Sequence, residues 1–126
     1  VRAKGKVMKK KKSEYDVFII SPQRIVTKKQ LMEIQNYIDI REVDGDRVYY
    51  PLRDTKQDEF TGWVICLDNL KAMFNSKMVA IFYDPKSQGV HFDLGMAFCL
   101  GKPMILINSP KDIKGKSFIK VIKNQP

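Results

Sequence analysis

Asp93 and His91 stand two residues apart in the stretch Ser87-Gln-Gly-Val-His-Phe-Asp-Leu-Gly-Met-Ala97, and His91 is the chain's single histidine. A carboxylate can attack an electrophilic carbon or take a proton, and an imidazole can carry one. Ser87 and Gly89, just ahead of them, suit an anion: one offers a hydroxyl, the other a backbone that a ligand can approach closely. A plainer explanation stands beside this one. An acid one turn into a helix interacts favourably with the helix dipole, by a few tenths of a kcal/mol, and an isolated histidine is commonly a surface or supporting residue. Spacing alone leaves both readings open.

Other chemistries find no pattern. The G-x-x-x-x-G-K-[ST] pattern of a P-loop is absent, and Gly5, Gly45 and Gly62 make no dinucleotide fingerprint. Cys66 and Cys99 are far apart and lie in apolar, helix-like stretches, so buried free thiols are expected rather than a disulfide or a zinc site.

The elements that must position Asp93 follow from the apolar pattern. Asp16-Val-Phe-Ile-Ile20 reads as a buried strand ending at Ser21-Pro22. Thr27 and Gln30 have capping-box spacing, and Leu31, Ile34 and Ile38 then recur at helical intervals, which predicts a helix over about 28–39. Val48-Tyr-Tyr50 predicts a short strand, and 52–58 a polar loop. Val64, Leu67, Leu70 and Phe74 predict a helix over about 59–75 with that face turned inward, and Tyr49, Tyr50 and Trp63 are expected in the core or a pocket wall. Met78-Val-Ala-Ile-Phe-Tyr83 and Met104-Ile-Leu-Ile107 are continuously apolar, as strands covered on both faces are. Between them 89–100 reads as a helix with Phe92, Met96, Ala97 and Leu100 on one face, stopped by Gly101-Lys-Pro103.

Strands alternating with helices predict an α/β fold: a three-layer sandwich around a mainly parallel sheet of about five strands, Rossmann- or flavodoxin-like. Ligands of such sheets bind beyond the carboxyl ends of the strands. That rule selects the loops 21–24, 52–58, 84–89 and 108–110.

The 126 residues suit one domain, and 44% hydrophobic content supports a core. Residues 1–14 are expected to be a basic, solvated tail, with Met8 a candidate start, and 15–126 the domain. Arg2 and six lysines up to Lys12 account for most of the net charge of +9, so the excess belongs to the tail and not to a face of the domain. Such a tail could touch nucleic acid, but solvation is the favoured reading. With no apolar stretch in the first twelve residues and none long enough to span a bilayer, a soluble cytoplasmic protein without membrane contact is expected.

The stretch 87–97, followed by Leu100-Gly-Lys-Pro103 and an apolar strand, resembles the nucleoside 2-deoxyribosyltransferase superfamily, whose signature runs roughly [D/S]-x-G-[T/V]-x-[F/Y/W]-E-L-G-x-A and then K-P. The likeness spans about residues 15–108. The Ser-x-Gly-Val form looks most like the 2'-deoxynucleoside 5'-monophosphate N-glycosidases and the related CMP hydrolases, and Ser21-Pro-Gln-Arg24 resembles their G-S-x-R loop. The resemblance implies hydrolysis of the N-glycosidic bond of a (deoxy)nucleoside 5'-monophosphate. Asp93 would be the nucleophile and Asp68 an acid assisting departure of the base. Ser87 would hold the 5'-phosphate, with Ser21, Gln23, Arg24, Asp84, Gly89 and His91 binding substrate. It implies no metal or other cofactor. It also implies a homodimer or higher oligomer, with Ser117 the match to a serine that reaches a neighbouring subunit's phosphate site.

The family nucleophile is normally glutamate, and aspartate is one methylene shorter. Ser21-Pro22 replaces the usual glycine after the first strand, and Lys77 stands where an acid often precedes the third. Base exchange by a transferase is the nearest alternative. Ser13-Glu-Tyr-Asp-Val-Phe-Ile-Ile20 also resembles the first strand of TIR domains, some of which cleave or bind NAD-derived nucleotides. A non-catalytic nucleotide-binding or protein-interaction module is a further alternative.

Overall fold

A computed structural model describes residues 13–111 and 113–126. The basic run 1–12, and with it nearly all of the expected tail, lies outside the described residues. The elements are β1 (Tyr15–Ile20), α1 (Lys28–Val43), β2 (Val48–Tyr49), α2 (Pro51–Asp54), α3 (Trp63–Phe74), β3 (Ser76–Ile81), α4 (Gln88–Leu100), β4 (Met104–Leu106) and α5 (Phe118–Lys123).

The strands form one parallel sheet in the order β2-β1-β3-β4. The α/β sandwich is therefore as expected, with four strands in place of about five; the last apolar run, 118–122, is helical. Alternation along β1 divides the core. Val17 and Ile19 point to the face covered by α1, through Ile34 and Ile38. Phe18 and Ile20 point to the other face, where Ala72 and Met73 of α3, Val90, Leu94 and Ala97 of α4, and Ile119 and Ile122 of α5 pack. The chain leaves β1 toward one face and β3 toward the other, so a crevice opens between the carboxyl ends of these two neighbouring strands.

Local chemistry fixes the ends of the elements. Thr27 and Gln30 close the capping box as predicted: Thr27 Oγ1 accepts from Gln30 N at 3.0 Å, and Gln30 Oε1 accepts from Thr27 N at 2.8 Å. Pro51 starts α2, which runs to Asp54 and so enters the stretch 52–58 expected to be loop, because the fixed φ of proline suits a first helical turn. Glu59 does not begin α3; its carboxylate caps it, accepting from the N–H groups of Thr61 and Val64. The edge strand β4 is covered by one side chain. Gln125 Oε1 accepts from Met104 N at 2.8 Å, and its Nε2 donates to Met104 O, so both backbone groups of Met104 are paired on the outer edge.

Three expectations about burial are corrected. The face of α3 turned to the sheet carries Asn69, Ala72 and Met73, whereas Trp63, Val64, Leu67 and Phe74 are exposed. The small Ala72 lets the helix lie close to the sheet, and the bulky stripe points away. On α4, Phe92 is likewise exposed, while Met96 and Leu100 pack at the border of the core. Both thiols are free, but Cys66 is only partly buried and Cys99 is exposed.

Candidate active site

β1 ends at Ile20, just before Ser21, and β3 ends at Ile81, just before Phe82-Tyr83-Asp84, so the loops 21–24 and 84–89 border the same crevice. Three groups here are left without partners among the described residues. Ser21 is 2% exposed, and its hydroxyl has no hydrogen-bond partner among the described residues. In the first turn of α4, Ser87 caps the helix by accepting from Val90 N at 3.2 Å, and its carbonyl accepts from His91 N. The N–H groups of Gln88 and Gly89 remain without an acceptor, as the first donors of a helix do. Asp93 is the third.

Asp93 lies on the inner side of α4 beside Val90, Leu94 and Ala97, and is 7% exposed. No described group donates a hydrogen bond to it or pairs with it. Burial pushes its carboxyl up to about 7, from an ordinary value of 3.8. Its negative charge is felt by Cys66 of α3, whose thiol is raised first by burial and then by Asp93 and Glu59. Asp93 therefore faces α3 across the helix pair.

Asp68 lies on α3, two residues from Cys66, and residues two apart on a helix do not share a face. The Tyr49 phenol is raised by burial first, with Asp54, Tyr15 and Asp68 adding to it. A buried chain of hydrogen bonds runs from the Tyr49 hydroxyl to Thr55 Oγ1 at 2.5 Å and on to Asn69 Oδ1 at 2.6 Å.

His91 is fully engaged within the chain. Its Nδ1 lies 2.7 Å from the Ser87 carbonyl and its Nε2 2.8 Å from the Tyr83 hydroxyl. A carbonyl only accepts, so Nδ1 carries the proton and Nε2 accepts from Tyr83. The ring also meets Tyr83 and Phe118 edge-on. It thus binds the end of β3, the start of α4 and the start of α5 into one unit. Tyr83 was not singled out by the sequence reading; an aromatic hydroxyl at a strand end, eight residues before a histidine, was the available signal.

Asp84 is also committed. Its Oδ2 accepts from Gln30 Nε2 at 3.1 Å and its Oδ1 from Lys86 N at 2.9 Å, which ties the start of α1 to the loop. Asn108, in the fourth selected loop, pairs its side-chain amide with both backbone groups of Tyr83. Gln23 is partly exposed and Arg24 exposed, both in the loop after β1. Gly89 has only Ser87 Oγ near its open side. Ser117 caps α5 of its own chain by accepting from Lys120 N at 3.1 Å, and the Phe118–His91 contact sets that helix start beside the start of α4. A shallow cleft lined by Pro22, Gln30, Glu33, Phe82, Tyr83 and Asn108 opens on the α1 side of the sheet. Asp93 belongs to the opposite side, so this hollow and the buried carboxyl are separate features.

The Lys102-Pro103 part of the resemblance has a structural role. Lys102 Nζ donates to the carbonyls of Phe74 at 2.8 Å and Ser76 at 2.6 Å, and lies 5.6 Å from the centre of the Phe74 ring. It holds the junction between α3 and β3.

The solved structure of 2-deoxyribosyltransferase from the psychrotolerant bacterium Bacillus psychrosaccharolyticus matches over 87% of this chain and 92% of its own, with a TM-score of 0.65 and 16% identity. The two chains share a fold. No family model matches the sequence, and no curated protein matches it. No described helix is long and apolar enough to cross a membrane. Among the described residues no three His, Cys, Asp or Glu side chains converge as metal ligands would.

Proposed function

We propose that this chain cleaves the N-glycosidic bond of a nucleoside 5'-monophosphate, with Asp93 as the attacking group. The observation that carries the reading is a buried carboxylate with no partner, one turn into a helix that starts at the ligand-binding edge of a parallel sheet. A carboxylate with no hydrogen bond from the described residues has none of those bonds to shed before attack. With its proton lost at about pH 7, a large share is ionised under neutral conditions.

Attack at C1' of the sugar forms a carboxylate–glycosyl ester as the bond to the base breaks. The base leaves with the bonding electron pair and takes up a proton. Water then attacks C1' and gives up a proton, the bond from C1' to the aspartate oxygen breaks, the sugar phosphate is released and the carboxylate is regenerated. The free N–H groups of Gln88 and Gly89, with the Ser87 hydroxyl, suit a phosphate at the helix start. Base exchange, in which a second base replaces water, is the second reading. It is supported by the fold shared with a 2-deoxyribosyltransferase.

The test is a panel of nucleosides and their 5'-monophosphates, with free base followed by chromatography and a second base added in parallel. Base release from a monophosphate, lost in Asp93→Ala, is the expected result. A new nucleoside in the parallel arm selects exchange. Release that continues undiminished in Asp93→Ala overturns the assignment.

A further inference from the structure

The Ser87 carbonyl is held more tightly by an imidazole than by its own helix. The helical bond from His91 N is long, 3.4 Å, whereas His91 Nδ1 lies 2.7 Å away. The peptide joining Ser87 to Gln88 is planar and trans, so its carbonyl and its N–H point in opposite directions. A carbonyl drawn onto the imidazole therefore turns the Gln88 N–H outward from the start of α4. That N–H is one of the two open donors at this helix end, and a side chain in the first turn aims it.

The imidazole is set in turn by Tyr83. With Nδ1 protonated, the Tyr83 hydroxyl, 2.8 Å from Nε2, is the donor of that bond. It pairs the Nε2 lone pair, which favours the Nδ1–H tautomer, and it polarises the ring so that Nδ1–H donates more strongly to Ser87. Tyr83 has little freedom of its own. It is 8% exposed, and the Asn108 side chain holds its N–H at 3.0 Å and its carbonyl at 2.8 Å. Phe118, its ring centre 5.2 Å from that of His91, limits the swing of the imidazole.

We propose that Tyr83 is a positioning residue for the substrate phosphate: acting through His91, it aims the Gln88 N–H at the 5'-phosphate and so favours a monophosphate over a nucleoside. The inference rests on the cleavage reading above. In it His91 acts by holding the backbone, not by touching substrate.

His91 is the single histidine, so nitrogen-15 NMR of its ring reads the tautomer directly. At pH 8 the wild type shows a protonated Nδ1 and an accepting Nε2, and Tyr83→Phe moves the ring toward Nε2–H. In the same variant KM for the monophosphate rises roughly tenfold, the scale of one hydrogen bond to a charged group. The value of kcat holds, as does KM for any nucleoside that is cleaved. His91→Asn sets an amide donor where Nδ1 stands and has no tautomer to choose, so adding Tyr83→Phe to it raises KM no further. An unmoved tautomer in Tyr83→Phe overturns the proposal, as does a Tyr83→Phe effect that persists in the His91→Asn background. Equal rises in KM for monophosphate and nucleoside also overturn it. A wild type that cleaves no monophosphate overturns the cleavage reading and this inference with it. Cleavage with KM unmoved in Tyr83→Phe overturns this inference alone.

Discussion

The two ends of α4 are finished in opposite ways. At the C-terminal end Gly101 takes the left-handed conformation, its N–H and that of Lys102 close on carbonyls of the last turn, and Lys102 Nζ satisfies two more carbonyls at the end of α3. At the N-terminal end, two N–H groups and the Asp93 carboxylate have no partner, although His91, between them, uses both ring nitrogens. One end is closed by a glycine cap, and the other leaves polar groups open beside the His91 brace. Local rules broken at one place and kept around it mark where a chain gives up stability for a task.

The largest effect is expected at Asp93. Under the proposed mechanism Asp93→Asn removes the nucleophile and lowers kcat by roughly 10³-fold or more. In the wild type, kcat/KM should rise with pH through about 7 and then level off, because only the ionised carboxyl attacks. Stability moves the other way. Between pH 3.8 and about 7 the unfolded chain has released this proton and the folded chain retains it, so stability falls as pH rises across that window. The cost above pH 7 is up to ~4 kcal/mol. Asp93→Asn should therefore melt higher than wild type at pH 8, with the advantage shrinking toward pH 4. Equal melting at pH 8 would remove the argument that the carboxylate is held at a cost.

The satisfied end supplies the contrast. Lys102→Met keeps most of the aliphatic packing over Phe74 but leaves the carbonyls of Phe74 and Ser76 without their donor. It should destabilise the fold by about 1–3 kcal/mol in urea titrations. Turnover per folded molecule should be unchanged. A loss of kcat at constant stability would show that the two ends are coupled, and the division of labour between them would fail.

Much of this contrast could be read in the sequence, and the gaps have physical causes. β1 and β3 are visible because strands buried on both faces are continuous apolar runs; β4 is visible as an apolar run too, but Ile105 is exposed, so it is not covered on both faces as expected, because it lies at the sheet edge. α1 was visible because Thr27 and Gln30 carry its start signal. The stretch from Ser87 to Asp93 was placed correctly at a loop-to-helix junction. Helical periodicity shows that α3 has an apolar side, but not that Ala72 and Met73 would meet the sheet while Trp63 and Phe74 would not. Nor can it show that Asp93 turns inward on α4 with Val90, Leu94 and Ala97, because that depends on how the helix is rotated against the sheet. The bare state of Asp93 has the same origin: a missing partner is a property of the packed pair, not of the residue type.

The smallest effect expected is at Ser87, where two roles must be separated. Its hydroxyl caps α4 through Val90 N, and under the proposed function it also meets a phosphate. Ser87→Ala should cost about 1 kcal/mol of stability, whereas glycine at a cap costs only a few tenths. Both substitutions remove the hydroxyl. If Ser87 only caps the helix, Ser87→Gly should leave KM near wild type for nucleosides and monophosphates alike. If it also holds the phosphate, KM for the monophosphate should rise severalfold in both variants while KM for the nucleoside stays put. The open end of α4 would then be specific for the charged substrate, and not merely unfinished.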